Sequence, residues 1–241
     1  MSIRRLGLTV VAFLMFDALV AAQPPAPVRE VGIKYVRDSE EYGALTRQVY
    51  RAAGDAVDRA RSAASSPWAV VLDVDETTLD NSTYQLERAA YGLPFEAASW
   101  SAWVERRQAP AVPGANGFID RVRRAGGHVA FITNRDATLA EATRANLQAA
   151  GIWNDDDRLC AQKAQYPKAQ RRREVVIGAG ECAWPNRPMR IVAFVGDQTG
   201  DFPAASEMIP DTGTDEVFGK TCFILPNPMY GEWTSRVTRL K

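Results

Sequence analysis

The chain has 241 residues, 46% of them hydrophobic, enough for one substantial core with a small second lobe. Lys plus Arg and Asp plus Glu both number 29, a formal net charge of +0, so no basic excess marks a nucleic-acid polymer as partner. The single histidine, His128, excludes histidine-rich zinc sites and mechanisms built on two histidines.

The first 22 residues read as an export signal. Arg4 and Arg5 form a positive start, Leu6 to Phe16 is an apolar run, and Val20-Ala21-Ala22 supplies small residues ahead of Gln23. The run is shorter than the roughly 20 apolar residues of a spanning helix. No cysteine for lipid attachment lies near the cut, so the mature chain is expected to be periplasmic or secreted, with no stable membrane anchor. Cys160, Cys182 and Cys222 are an odd count for an oxidising compartment. Cys160 and Cys182 can pair across the Lys168 segment or stay free, and the sequence leaves both open.

After a spacer with Pro24, Pro25 and Pro27, Ser39 is placed to cap a helix running to about Ala64. Tyr42, Leu45, Val49, Ala53, Ala56 and Ala60 follow helical spacing on it. The strand Trp68 to Leu72 follows, and it runs straight into Asp73-Val74-Asp75-Glu76-Thr77. Carboxylates that close repel each other, so at the mouth of a core strand they need a cation or a shared proton. An EF-hand calcium loop would need Gly and Glu where Thr78 and Tyr84 stand, which excludes that reading.

The stretch from Asn81 to Pro113 holds Tyr84, Tyr91, Phe95, Trp100 and Trp103, and its length suits a lid or subdomain over the acidic strand tip. Downstream, three more apolar runs alternate with helical patterns at 116–125 and 137–150. His128 to Ile132 ends in Thr133-Asn134-Arg135, Arg190 to Val195 ends in Gly196-Asp197, and the Cys222 run ends at Pro226-Asn227. Strands alternating with helices predict an α/β fold, a Rossmann-like parallel sheet with helices on both faces, whose ligands bind beyond the carboxyl ends of the strands. Each polar signature falls at such an end.

Residues so placed suit a phosphate monoester. Asp73 can attack phosphorus to give an aspartyl phosphate, and Asp75 can protonate the leaving oxygen and then activate water. Asp197 and Asp201, with Asp73, can hold magnesium, a hard cation that favours carboxylates and phosphate oxygens. Thr133 and the neighbouring amides offer donors to a phosphoryl oxygen, and Lys168 offers a compensating cation. Each signature also has a bland reading: a turn at Thr133, a solvated basic helix face around Lys168, a helix cap at Asp197 and Asp201, a mini-core in the aromatic insert.

Taken together these motifs resemble the haloacid dehalogenase superfamily, and more closely the bacterial class C non-specific acid phosphatases, the group of lipoprotein e and related exported nucleotidases. The resemblance spans approximately residues 36–233. It rests on Asp73 to Asn81, Ser99 to Val104, Val112-Pro113-Gly114, Thr133-Asn134-Arg135, Lys168-Ala169-Gln170-Arg171, Gly196-Asp197 with Asp201, and Leu225-Pro226-Asn227 with Tyr230-Gly231. It implies a magnesium-dependent acid phosphatase acting on small phosphate monoesters, nucleoside 5′-monophosphates favoured. It also implies one domain over 23–241, with a haloacid dehalogenase-like core at about 65–80 and 113–230 and a mainly helical lobe from 36–64 and 81–112. In that group Asp73 is nucleophile and metal ligand, Asp75 acid/base and ligand through its backbone carbonyl, Asp197 the further protein ligand, and Lys168, with Lys163 as rival, the lysine. Asn134 and Arg135 are expected at the substrate, and Tyr84, Trp100 and Tyr230 are the positions where a leaving nucleoside stacks. The chain departs from the group at Gln198, where Asn is common, and over 178–190, which is longer and contains Cys182. A phosphotransferase on the same site, a binding or storage protein and a structural surface protein are the alternatives. Homo-oligomerisation stays open.

Overall fold

The computed structural model describes residues 28–61, 67–204, 207 and 217–235. The strands are β1 (Trp68–Leu72), β2 (His128–Asp136), β3 (Arg158–Gln162), β4 (Arg190–Gly196) and β5 (Cys222–Ile224). They form one sheet in the order β3-β2-β1-β4-β5, every pairing parallel. The helices are α1 (Val28–Asp38), α2 (Glu40–Arg61), α3 (Ser82–Ala90), α4 (Ala97–Arg106), α5 (Ala115–Arg124), α6 (Ala140–Ala149) and α7 (Lys168–Ile177). The expected parallel α/β sheet is therefore present.

β1 is buried along its whole length because alternate residues serve two cores. Val70 and Leu72 join Tyr50, Val57, Phe118 and Val122 beneath α2 and α5. Ala69 and Val71 join Ile132, Val175, Trp184 and Met189 beneath α7. The strand order turns back between β1 and β4, which opens a crevice beyond their carboxyl ends. All four apolar runs of the sequence are strands. β3 is an addition: at the sheet edge only its Cys160 is fully buried, so no apolar run announces it.

Ser39 caps α2, its Oγ accepting from the Tyr42 amide at 3.1 Å. A second helix, α1, stands immediately before it, where the sequence showed only a spacer. Described residues of α2 end at Arg61, so the expected helix end near Ala64 lies outside them. Its buried stripe is Tyr42, Thr46, Tyr50, Ala53 and Val57, while Leu45 is exposed. Tyr50 fixes that rotation by donating its hydroxyl to the Thr77 carbonyl at 2.6 Å. The aromatic insert is closed at its neck by Asp80 N donating to Pro110 O and Val112 N to Thr78 O, at 2.8 and 3.0 Å. Residues 81–112 thus leave and rejoin the core at one place, while α2, within the 36–64 stretch, lies on the sheet beside α5.

The three cysteines are buried free thiols, one of the two arrangements left open for Cys160 and Cys182. Among the described residues no helix is long and apolar enough to cross a membrane. The expected signal at 1–22 lies outside those residues.

Candidate active site

Beyond Leu72 the chain turns at once. Thr78 and Leu79 both donate their amides to Val74 O at 2.9 and 2.8 Å, and the Thr78 hydroxyl donates to Asp73 O at 2.6 Å. Glu76 takes the left-handed region, φ 56°, inside this knot. The turn leaves both Asp73 and Asp75 lining one cavity of about 870 Å³. Lys168, the first residue of α7, reaches into it and places Nζ 2.5 Å from Asp73 Oδ1 and 2.5 Å from Asp201 Oδ1. Lys163, the rival lysine, is exposed and pairs with Glu181.

Asp197 and Asp201 come from the end of β4. Asp201 folds back so that Oδ2 accepts from the Asp197 and Gln198 amides at 3.1 and 2.9 Å. Gly196 permits this: a Cβ there would lie 2.4 Å from Asp201 Cβ and 2.5 Å from Oδ2. Asp197 is oriented by two neutral donors, Thr77 Oγ1 at 3.2 Å and Asn227 Nδ2 at 2.8 Å. The last motif of the sequence, Leu225-Pro226-Asn227, thus delivers an amide to the second acidic strand tip.

Asp75 is held from the side. Arg135 places Nε 2.9 Å and Nη2 2.8 Å from Asp75 Oδ1, and Asn81 Nδ2 donates to the same oxygen at 2.9 Å. Arg135 lines the cavity as expected and also donates to Asn81 Oδ1 and Thr143 Oγ1. Thr133 is fully buried, and its Oγ1 accepts from the Arg135 amide at 3.1 Å. Asn134 lines the cavity, and its Oδ1 accepts from Arg171 Nη2 at 3.2 Å.

The aromatic positions divide. Phe95, Trp100, Tyr230 and Trp233 line the cavity. Tyr84 does not: it is buried under Trp100, ring centroids 5.1 Å apart, with its hydroxyl 3.0 Å from Ser99 Oγ. Its stacking role on a substrate is therefore corrected to a packing role, and Phe95 and Trp233 hold wall positions that the sequence did not single out. Tyr230 is tied down as well, its hydroxyl donating to Glu76 Oε2. Glu76 was missed too; only its place directly after Asp75 hinted at it.

Electrostatically the site is overcrowded with carboxylates. Burial above all pushes Asp73 well up from the usual range; Lys168 opposes this, and Asp201, Asp197 and Asp75 add to it. Burial, then Asp201, pushes Asp197 up to about 7. Burial likewise raises Glu76 well above its ordinary value, with Asp75 and Asp197 adding to it. Burial alone would lower Lys168, but Asp73 and Asp201 outweigh it and raise it. One ammonium does not balance this set. Oxygen atoms of Asp73, Asp197 and Asp201 lie within 4.8 Å of one another, the hard-oxygen donor set that a divalent cation fits. Three N–H donors already occupy the two oxygens of Asp201, whereas only neutral side-chain donors are seen on Asp197.

Residues 18–233 match the family profile described as HAD superfamily, subfamily IIIB (acid phosphatase). Among solved structures, the class C acid phosphatase from Bacillus anthracis is similar at TM-score 0.73 and 26% identity, over 85% of this chain and 86% of that one. A tungstate-bound crystal structure of the same enzyme matches at TM-score 0.71. Acid phosphatase 1 of Solanum lycopersicum is 30% identical over 169 residues, and a stem 31 kDa glycoprotein of Glycine max 28% identical over 168. Each match covers 66% of this chain but only 57% and 58% of the plant protein.

Proposed function

The chain belongs to the acid phosphatases of HAD superfamily subfamily IIIB, and from that premise we propose that it hydrolyses small phosphate monoesters through an aspartyl phosphate on Asp73. The observation that carries this is the meeting of three elements on one carboxylate. Asp73 stands at the β1 tip, Lys168 is 2.5 Å away from α7, and Asp197 and Asp201 close in from β4, at the mouth of a cavity sized for a small molecule.

An Asp73 oxygen attacks phosphorus, and the bond from phosphorus to the ester oxygen breaks. Asp75 gives its proton to the departing oxygen; Arg135 and Asn81 hold Oδ1 and leave Oδ2 for that transfer. Asp75 then takes a proton from water as that water attacks phosphorus, which frees Asp73 and inorganic phosphate. Lys168 offsets charge on Asp73 throughout. Magnesium is the cation we assign to Asp73 and Asp197, with the Asp75 carbonyl as further ligand and Asp201 bracing Lys168 and the β4 turn. When bound it supplies charge neutralisation at the phosphoryl oxygens.

For the leaving group, the wall of Phe95, Trp100, Tyr230 and Trp233 supports a preference for flat aromatic partners, nucleoside 5′-monophosphates foremost. The N-terminal sequence supports export to the periplasm or medium, which fractionation of a producing cell would check. The function itself is tested by turnover of p-nitrophenyl phosphate and of a panel of nucleotides and sugar phosphates, with magnesium and with chelator. Turnover that needs the metal and favours nucleotides is expected. No hydrolysis of any ester would return the binding-protein alternative, and transfer to an added alcohol in place of water would mark a phosphotransferase.

A further inference from the structure

Arg171 is the most completely buried cation in the neighbourhood, with 0% exposure, and the mechanism above does not use it. Its Nη1 donates to Thr133 O at 2.5 Å and to Cys160 O at 2.8 Å, and its Nη2 to Asn134 Oδ1 at 3.2 Å. All three acceptors are neutral oxygens, and Nε is buried with no hydrogen-bond partner among the described residues. A guanidinium buried without a carboxylate is expensive, and a neutral side chain would fill the space at lower cost. What the charge secures is the conformation of one peptide unit at the β2 tip.

The Thr133–Asn134 peptide is planar and trans, so its C=O and N–H point in opposite directions. Arg171 fixes the carbonyl on the α7 side. The Asn134 N–H is thereby turned away from α7, and Asn134 itself lines the cavity beside Asp73 and Lys168. The same stretch of β2 is also held by the Arg135 amide, which donates to Thr133 Oγ1 and leaves that hydroxyl's own hydrogen to donate elsewhere. Two fastenings on residues 133–135, near the end of β2, leave them little freedom to rotate.

We propose that Arg171 is a positioning residue that acts through the Thr133–Asn134 peptide, aiming the Asn134 amide at an oxygen of the transferring phosphoryl group. This rests on the phosphatase reading of the site. It explains why α7 carries both Lys168 and Arg171: one turn of helix brings the first to Asp73 and the second to the β2 tip. Preorganised amides of this kind act most strongly in the transition state, so their loss falls on kcat more than on KM.

The test is Arg171→Lys in the full chain with magnesium, against Arg173→Lys, an exposed neighbour on the same helix, as control. Lysine keeps the charge but cannot span the three acceptors. The expected loss is about a hundred-fold in kcat/KM for p-nitrophenyl phosphate, mostly in kcat, measured where circular dichroism shows a folded protein. Folded Arg171→Lys with wild-type kcat overturns the proposal, as does a loss confined to KM. Should the variant not fold, the wild-type protein decides: on titrating inorganic phosphate into 15N-labelled protein, the Asn134 amide resonance must move. An Asn134 amide unmoved at saturating phosphate sinks the idea. Failure of the wild type to hydrolyse any ester would instead strike the proposed function, while the amide titration still tests whether the Asn134 amide meets a phosphoryl oxygen.

Discussion

Lys168 Nζ stands 2.5 Å from Asp73 Oδ1 and at the same distance from Asp201 Oδ1, so one ammonium joins the tips of β1 and β4. Among the described residues, Lys168→Met removes the only cation bonded to these two carboxylates. Breaking a buried pair from one side typically costs about 3–5 kcal/mol, and a loss of that order is expected at pH 7, measured by denaturant unfolding without metal. Turnover should fall by about a hundred-fold or more. Lys168→Arg should restore little, because a planar fork does not fit between two oxygens that a point charge bridges. Full activity in either variant would remove Lys168 from the mechanism.

Asp73→Asn should lower kcat by at least about a thousand-fold while leaving the folded chain intact. Its metal-free stability should hold or rise, since a carboxylate that burial and its acidic neighbours disfavour disappears while Lys168 keeps Asp201 as partner. A variant that loses activity only because it unfolds would not support the nucleophile assignment. Thermal melts taken beside the kinetics separate the two.

Asp197 gives the pH dependence. Burial, with Asp201 next, raises it from 3.8 to about 7 in the folded chain. Between about pH 4 and pH 7 the folded chain therefore keeps a proton that the unfolded chain releases, and the group's contribution to stability falls as pH rises through that window. Melting temperature in chelator should drop from pH 5 to pH 7, and magnesium should reduce the drop by taking the proton's place. A metal-free melt that is flat or rising over that range contradicts the crowded-carboxylate account.

The cavity wall separates two aromatic residues that look alike in sequence. Tyr84→Phe loses a single hydroxyl contact to Ser99 beneath Trp100, so about 1 kcal/mol of stability and little change in KM are expected. Trp100→Ala should raise KM for a nucleotide about five- to ten-fold and for a small alkyl phosphate much less. Equal effects of the two substitutions on KM would show that the wall does not read the leaving group.

The acidic tips of β1 and β4 were legible because an unbroken apolar run ending in aspartate has few physical meanings: a doubly buried strand fixes where its last side chains emerge. β3 was not legible, since an edge strand of Arg158, Leu159, Cys160, Ala161 and Gln162 carries only three apolar residues between polar ends. The basic stretch at 168–173 shows another limit. Three of its four cations, Lys168, Arg171 and Arg172, are buried, each bonded to protein oxygens, and periodicity alone reads such a stretch as a solvated face. Tyr84 shows the opposite error: resemblance gave its neighbourhood, but only packing decides whether a ring faces the cavity or the residue behind it.

The central claim is that a phosphoryl group resides on Asp73 during turnover. Mixing the magnesium-loaded enzyme with excess substrate, quenching in acid and mapping peptides by mass spectrometry tests it directly. The account expects one added phosphoryl group on the peptide containing Asp73, absent from Asp73→Asn and lost at alkaline pH as an acyl phosphate is. A phosphoryl group mapped to any other residue would contradict it.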